Sequence, residues 1–162
     1  MFTKNIQKRW VLITTDKIPT IKNTAIGISL SARENAILIP SSHTKVGACL
    51  YSENNDGVTM FWKGFNIQNH SHKSYHAEEM AVLNYLIDNA EYPIRTKFLP
   101  NGIVVTFDHE QIKDYTFCCA HCRQVLWEYL KNPGLLVTEV DLEGNIIAEK
   151  TLGELYPNPY PR

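Results

Sequence analysis

Three of the chain's four cysteines, Cys118, Cys119 and Cys122, fall within five positions, while Cys49 stands alone. No other feature constrains the fold as strongly. A disulfide-stapled secreted domain spreads its cysteines along the chain, so clustered thiols point instead to metal ligands or redox groups in a reducing compartment. Leu126, Tyr129 and Leu130 follow the cluster and Asn132-Pro-Gly134 closes the run, which predicts a helix over Cys119–Lys131. Residues i and i+3 share a helix face, so Cys119 and Cys122 point the same way, with Leu126 and Tyr129 continuing that face as the expected buried stripe. At a helix start, unpaired N–H groups and the positive dipole end favour thiolates. Taken alone, Cys119-Ala-His-Cys122 reads first as half a metal site, with a redox pair or inert core close behind.

His76-Ala-Glu78 supplies a second half. A helix predicted over His76–Asn89 carries an apolar stripe at Met80, Leu83 and Ile87, and His76 opens that face. A lone histidine there is usually a hydrogen-bonded core or cap residue. Joined to two thiolates, it completes a three-ligand zinc site with a fourth position for water. Zn²⁺ and two thiolates cancel in charge, which makes burial tolerable. Zinc also lowers the pKa of bound water from ~16 towards ~7. A carboxylate beside that water can act as general base and then acid, a role open to Glu78. Glu79 fits better as a first-turn acid complementing the helix dipole.

The remaining pattern describes one α/β domain. The chain has 162 residues, 44% of them hydrophobic and 20% charged, in the ordinary globular range. Ile21, Ala25, Ile28, Ala32 and Ala36 recur near helical period from Thr20 to about Leu38, and Pro40 closes the run. Strands are expected at Val46–Tyr51 and Val58–Ile67, around a Glu53–Gly57 hairpin turn, and at Gly102–Phe107, Leu135–Asp141 and Asn145–Lys150. A last turn is expected at Leu152–Tyr156. Alternating helices and strands imply a three-layer α/β/α sandwich on a mixed five-stranded sheet. Residues 1–19 read as a separate arm or short strand, and residues 20–162 as the zinc domain.

The same residues carry a family resemblance. His76-Ala-Glu78 followed by Cys119-x-x-Cys122 at a helix start matches the zinc deaminase signature. Ala32-Arg-Glu-Asn-Ala36, Lys45-Val-Gly-Ala48, Gly64-Phe-Asn-Ile-Gln-Asn69, Cys122-Arg-Gln-Val-Leu126 and Leu152-Gly-Glu-Leu-Tyr-Pro157 resemble successive blocks of cytidine deaminases and blasticidin-S deaminases. The resemblance implies that His76, Cys119 and Cys122 bind one zinc ion per chain and that Glu78 shuttles protons. It implies that Asn66 holds a ribose and that the Ala77 backbone faces the base. Four departures stand out. Cys118 replaces the usual Pro, which leaves Cys118/His121 as an alternative i,i+3 pair, although Arg123-Gln-Val-Leu126 favours Cys119/Cys122. Gln68 replaces a Glu that accepts a ribose hydroxyl, Thr44 replaces a Phe near the pyrimidine, and the His70–Tyr75 stretch is shorter with two extra histidines. Three of the four touch substrate recognition rather than the reaction centre.

The expected function is therefore hydrolytic deamination of a free aminopyrimidine nucleoside, such as cytidine or deoxycytidine, or of a nucleoside-like compound. The alternatives are a deaminase of bases within nucleic acid and a non-catalytic structural zinc module closed by Cys118 or His121. A formal charge of −1 lacks the broad basic field that non-specific nucleic-acid binding needs, so a nucleic-acid partner is not expected. No apolar run approaches the ~20 residues of a membrane span and no signal-peptide core follows the first residues, so a cytoplasmic protein is expected. The resemblance also implies a homo-oligomer, tetramer or dimer.

Overall fold

The computed structural model describes residues 20–54, 56–69, 74–91, 98–108, 110 and 117–159. The arm at residues 1–19 lies outside them, as do His70, His72, His109, Tyr115 and Tyr160. Helix α1 (Ile21–Arg33) leads into strands β1 (Val46–Glu53) and β2 (Thr59–Phe65), then the short strands β3 (Ile67–Gln68) and β4 (Ser74–Tyr75). Helix α2 (Ala77–Glu91), strand β5 (Gly102–Phe107), helix α3 (Ala120–Leu130), strands β6 (Leu136–Val140) and β7 (Ile146–Thr151), and the short helix α4 (Leu152–Leu155) complete the order. Five strands form one mixed sheet, β2-β1-β5-β6-β7, in which β5 and β6 run parallel and the other neighbours antiparallel. The expected α/β/α sandwich is the architecture found.

Each face of the sheet has its own core. Ala25 and Ile26 of α1 pack on Cys49, Tyr51, Phe61, Val104 and Val140, and Ser29 shares a buried 2.6 Å hydroxyl bond with Thr106. The opposite face buries Leu50, Trp62, Ile103, Val105 and Val137 beneath α2 and α3. In β5 every residue is buried, as a central strand covered on both faces requires.

Three sequence expectations need correction. Helix α1 stops at Arg33, short of Leu38, and Ile37 instead bridges to Ile67. The strand expected over Val58–Ile67 breaks at Asn66, whose side chain takes the Val46 N–H at 2.8 Å and donates to the Thr44 carbonyl at 2.9 Å. Beyond that break Ile67-Gln68 pairs with Ser74-Tyr75 as a second, small sheet.

The third correction concerns the buried stripes. Leu83 and Ile87 are exposed, and α2 instead buries Ala77, Glu78, Ala81, Val82 and Tyr85. The cause is Gly64 on β2. A Cβ at Gly64 would lie 2.0 Å from the Ala77 carbonyl and 2.5 Å from the Ala81 nitrogen, so α2 lies directly on the strand through its small residues. Large apolar side chains are excluded from that contact and turn outward. In α3 the buried line is Cys122, Leu126 and Leu130, while Tyr129 is exposed.

Candidate metal centre and adjoining pocket

Two helix starts meet at one place. His76 precedes α2, where its backbone N–H bonds the Glu79 carboxylate at 3.3 Å and its carbonyl accepts the Met80 N–H. Glu79 thus completes half of a capping box, as its first-turn position suggested. Cys119 is the N-cap of α3, with extended backbone and a thiol that accepts the Cys122 N–H at 3.5 Å. The turn before it holds Phe117 in the left-handed region at φ 72°. Arg123 secures that turn by donating from Nε to the Cys118 carbonyl at 2.7 Å and from Nη1 to the Leu155 carbonyl at 3.2 Å.

The result is a compact donor set. His76 Nδ1 lies 3.4 Å from both the Cys119 and the Cys122 sulfur. The three ligand atoms all lie within 4.8 Å of one another, and among the described residues the group has these three members. A tetrahedral zinc with bonds of about 2.1 Å to nitrogen and 2.3 Å to sulfur separates its ligands by roughly 3.6–3.8 Å, so the donors fit the ion in chemistry and in size. Cys118 is buried in the core. His121 turns outward with its side chain 57% exposed, beside Glu79 at 3.7 Å. The His121 ring packs edge-on against His76, with centroids 5.6 Å apart, but neither Cys118 nor His121 contributes a donor atom to the group.

Crowding shapes the ionisation of the donors. The Cys119 hydrogen bond, followed by burial, pushes the Cys122 thiol up, and the Cys119 hydrogen bond also raises His76. Burial lifts Glu78 above the usual carboxylate range. A bound divalent cation would reverse this logic for the thiols, which deprotonate on coordination.

A cavity of about 300 Å³ opens beside the cluster, lined by Thr44, Asn66, Gln68, His76, Ala77, Glu78, Cys118, Cys119 and Glu139 among others. Glu78 is 5% exposed and faces this space from the first turn of α2. Thr44, Asn66, Gln68 and Ala77, all singled out from sequence, lie along its wall. Glu139 was missed. It sits on β6 opposite Val105 in the parallel register, completely buried, with no hydrogen-bond partner for either carboxylate oxygen. Its sequence signal was a charged residue inside a mostly apolar strand, Leu135–Asp141, and that signal says nothing about a pocket.

The profile described as "Cytidine and deoxycytidylate deaminase zinc-binding region" matches residues 20–132, more than half of the chain. The chain belongs to this family. A cytidine deaminase from Burkholderia pseudomallei is 30% identical and superposes at TM-score 0.65, over 85% of this chain and 97% of that one. A cytidine deaminase from Mycobacterium tuberculosis, 22% identical at TM-score 0.63 over 86% of this chain and 97% of that one, shares the fold. So does one from Mycobacterium leprae, 21% identical at TM-score 0.56, over 84% and 97% of the two chains. No curated protein matches. For this family member, the zinc-binding region and the His/Cys/Cys donor group together support one zinc ion per chain. No described helix is long and apolar enough to cross a membrane.

Proposed function

We propose that the chain is a zinc-dependent hydrolytic deaminase of a small, free amine-bearing heterocycle, in the first instance an aminopyrimidine nucleoside or nucleoside-like compound. The observation that carries the reading is the convergence of His76, Cys119 and Cys122 at the wall of the pocket that Glu78 also lines. In this reading those three residues hold the metal. Zinc, when bound, supplies a Lewis acid that makes water a nucleophile near neutral pH. Glu78 takes a proton on its carboxyl oxygen and returns it to the ring nitrogen or the departing amine, as general base and then acid. The backbone of Ala77 and the Asn66 amide orient the substrate.

The pocket volume supports a free substrate, being at the small end of the range for small-molecule sites. The absence of a net basic charge supports it too, since binding a polymer draws on many phosphate contacts. A three-member donor group, with Cys118 and His121 outside it, favours an open metal position over a closed structural site. Ammonia release by zinc-loaded protein, screened over cytidine, deoxycytidine, adenosine, guanine and blasticidin S, tests the proposal. Release from at least one of them is expected. Release from a single-stranded oligonucleotide alone, or from none, contradicts it.

A further inference from the structure

The pocket contains unmet hydrogen-bonding groups, and they share one polarity. Gln68 Oε1 and both Glu139 carboxylate oxygens are buried without a partner, and all belong to pocket-lining residues. Each is an acceptor. Among the described residues no other pocket side-chain nitrogen or oxygen is buried without a partner. The missing partners are therefore donors.

Glu139 is the costly member. Its neighbours across the sheet on the same face are Val105 and Ala148, neither of which can hydrogen-bond through its side chain. The Phe117 backbone N–H favours the charged form without reaching hydrogen-bond geometry, and Arg123, the cation whose charge acts on Glu139, donates instead to the Cys118 and Leu155 carbonyls. An ionised carboxylate accepts at two adjacent oxygens and donates nothing, and burying it unpaired is unfavourable. A strand position facing the core would hold an apolar side chain at no such penalty. What matches two free oxygens side by side is a fork of two N–H donors, as on an amidinium edge, where a protonated ring nitrogen lies beside an amino group.

Building on the deaminase reading above, we propose that Glu139 is a specificity residue that accepts N–H donors from the substrate's ring. The preferred substrate is then an azine carrying a second amino group besides the one removed. Sites built around a buried polar group reject analogues that lack its partner, because the group is then left unpaired. Protonated on a ring nitrogen, 2,4-diaminopyrimidine presents a ring N–H beside an amino group, where cytosine presents a ring N–H beside a carbonyl oxygen, so the two form a matched pair.

Calorimetric binding of cytosine and 2,4-diaminopyrimidine to the zinc-loaded chain tests this without relying on turnover. The wild-type protein should bind 2,4-diaminopyrimidine at least tenfold more tightly, and Glu139→Gln should reduce that ratio at least fivefold. Equal affinities in the wild-type protein overturn the inference, whatever the variant does. A ratio unchanged in Glu139→Gln overturns it as well. Either result leaves the deaminase reading intact if ammonia is released in the substrate screen. A zinc-loaded chain that binds neither probe and releases no ammonia sinks both.

Discussion

Arg123 Nε donates to the carbonyl oxygen of Cys118 at 2.7 Å. Through that bond, and a second from Nη1 to Leu155, one guanidinium joins the turn presenting Cys119 to the helix that ends the described fold. The metal centre rests on this fork as much as on the helix starts. Charge-assisted bonds from Arg are directional, and a lysine offers one point where the fork offers two. Arg123→Ala should lower unfolding stability by about 2 kcal/mol in urea titrations of zinc-loaded protein. Arg123→Lys should recover less than half of that loss. Full recovery by Lys would mean that charge alone matters here.

Metal content separates the true donors from their neighbours. His76→Ala, Cys119→Ser and Cys122→Ser should each reduce bound zinc from one per chain to near zero, measured by elemental analysis after desalting. Cys118→Ser and His121→Ala should keep it, because neither residue belongs to the three-member group. Chelation should also lower the midpoint of thermal unfolding, since binding to the folded state alone stabilises it.

Gly64 should be as necessary as a ligand, for a steric reason. A Cβ there meets backbone atoms of α2 at 2.0 Å and 2.5 Å, and backbone cannot rotate away. Gly64→Ala should destabilise the fold by about 3 kcal/mol and weaken zinc binding, because the helix it displaces begins beside His76. Gly47→Ala makes an equally close clash, with Ser29 and Arg33 of α1 on the other face. It should cost similar stability, measured in urea, while leaving the zinc content of the folded fraction at one per chain.

Burial, with the Glu78 charge adding to it, raises Glu139 from 4.5 to about 7. An acid with a raised folded pKa holds more protons folded than unfolded, so its contribution to stability falls as pH rises from about 4.5 to about 7 and stays low above that. The largest possible difference is about 3 kcal/mol. Glu139→Gln should therefore exceed the wild-type protein in stability above pH 7, with the gap closing towards pH 4.5. Paired denaturant titrations across that range give the comparison, and a gap that widens on acidification would contradict it.

The candidate donor group was legible because a metal site needs particular residue types at particular spacings: a histidine opening one helix and two thiols three apart opening another. The sheet was legible from its apolar runs and from the Asn54–Gly57 turn, where Asn54 Oδ1 accepts from the Asp56 and Val58 amides. The buried face of α2 was not. Periodicity weighs Leu83 and Ile87 by size, whereas the contact with Gly64 selects Ala77 and Ala81. Nor was the break at Asn66, whose side chain replaces backbone partners that a continuing strand would have supplied. Glu139 stayed hidden because its neighbours in the pocket come from β5, α2 and the turn before α3, distant in the chain.

The central claim is that Glu78 moves protons at a zinc site rather than helping to build it. Ammonia release and zinc content, measured together on wild-type protein and Glu78→Gln with the best substrate of the screen, test that most directly. Both proteins should hold one zinc per chain, and the variant should lose at least about a thousandfold in the rate of release, within the range for removing a positioned acid–base. Undiminished release by zinc-loaded Glu78→Gln would contradict it.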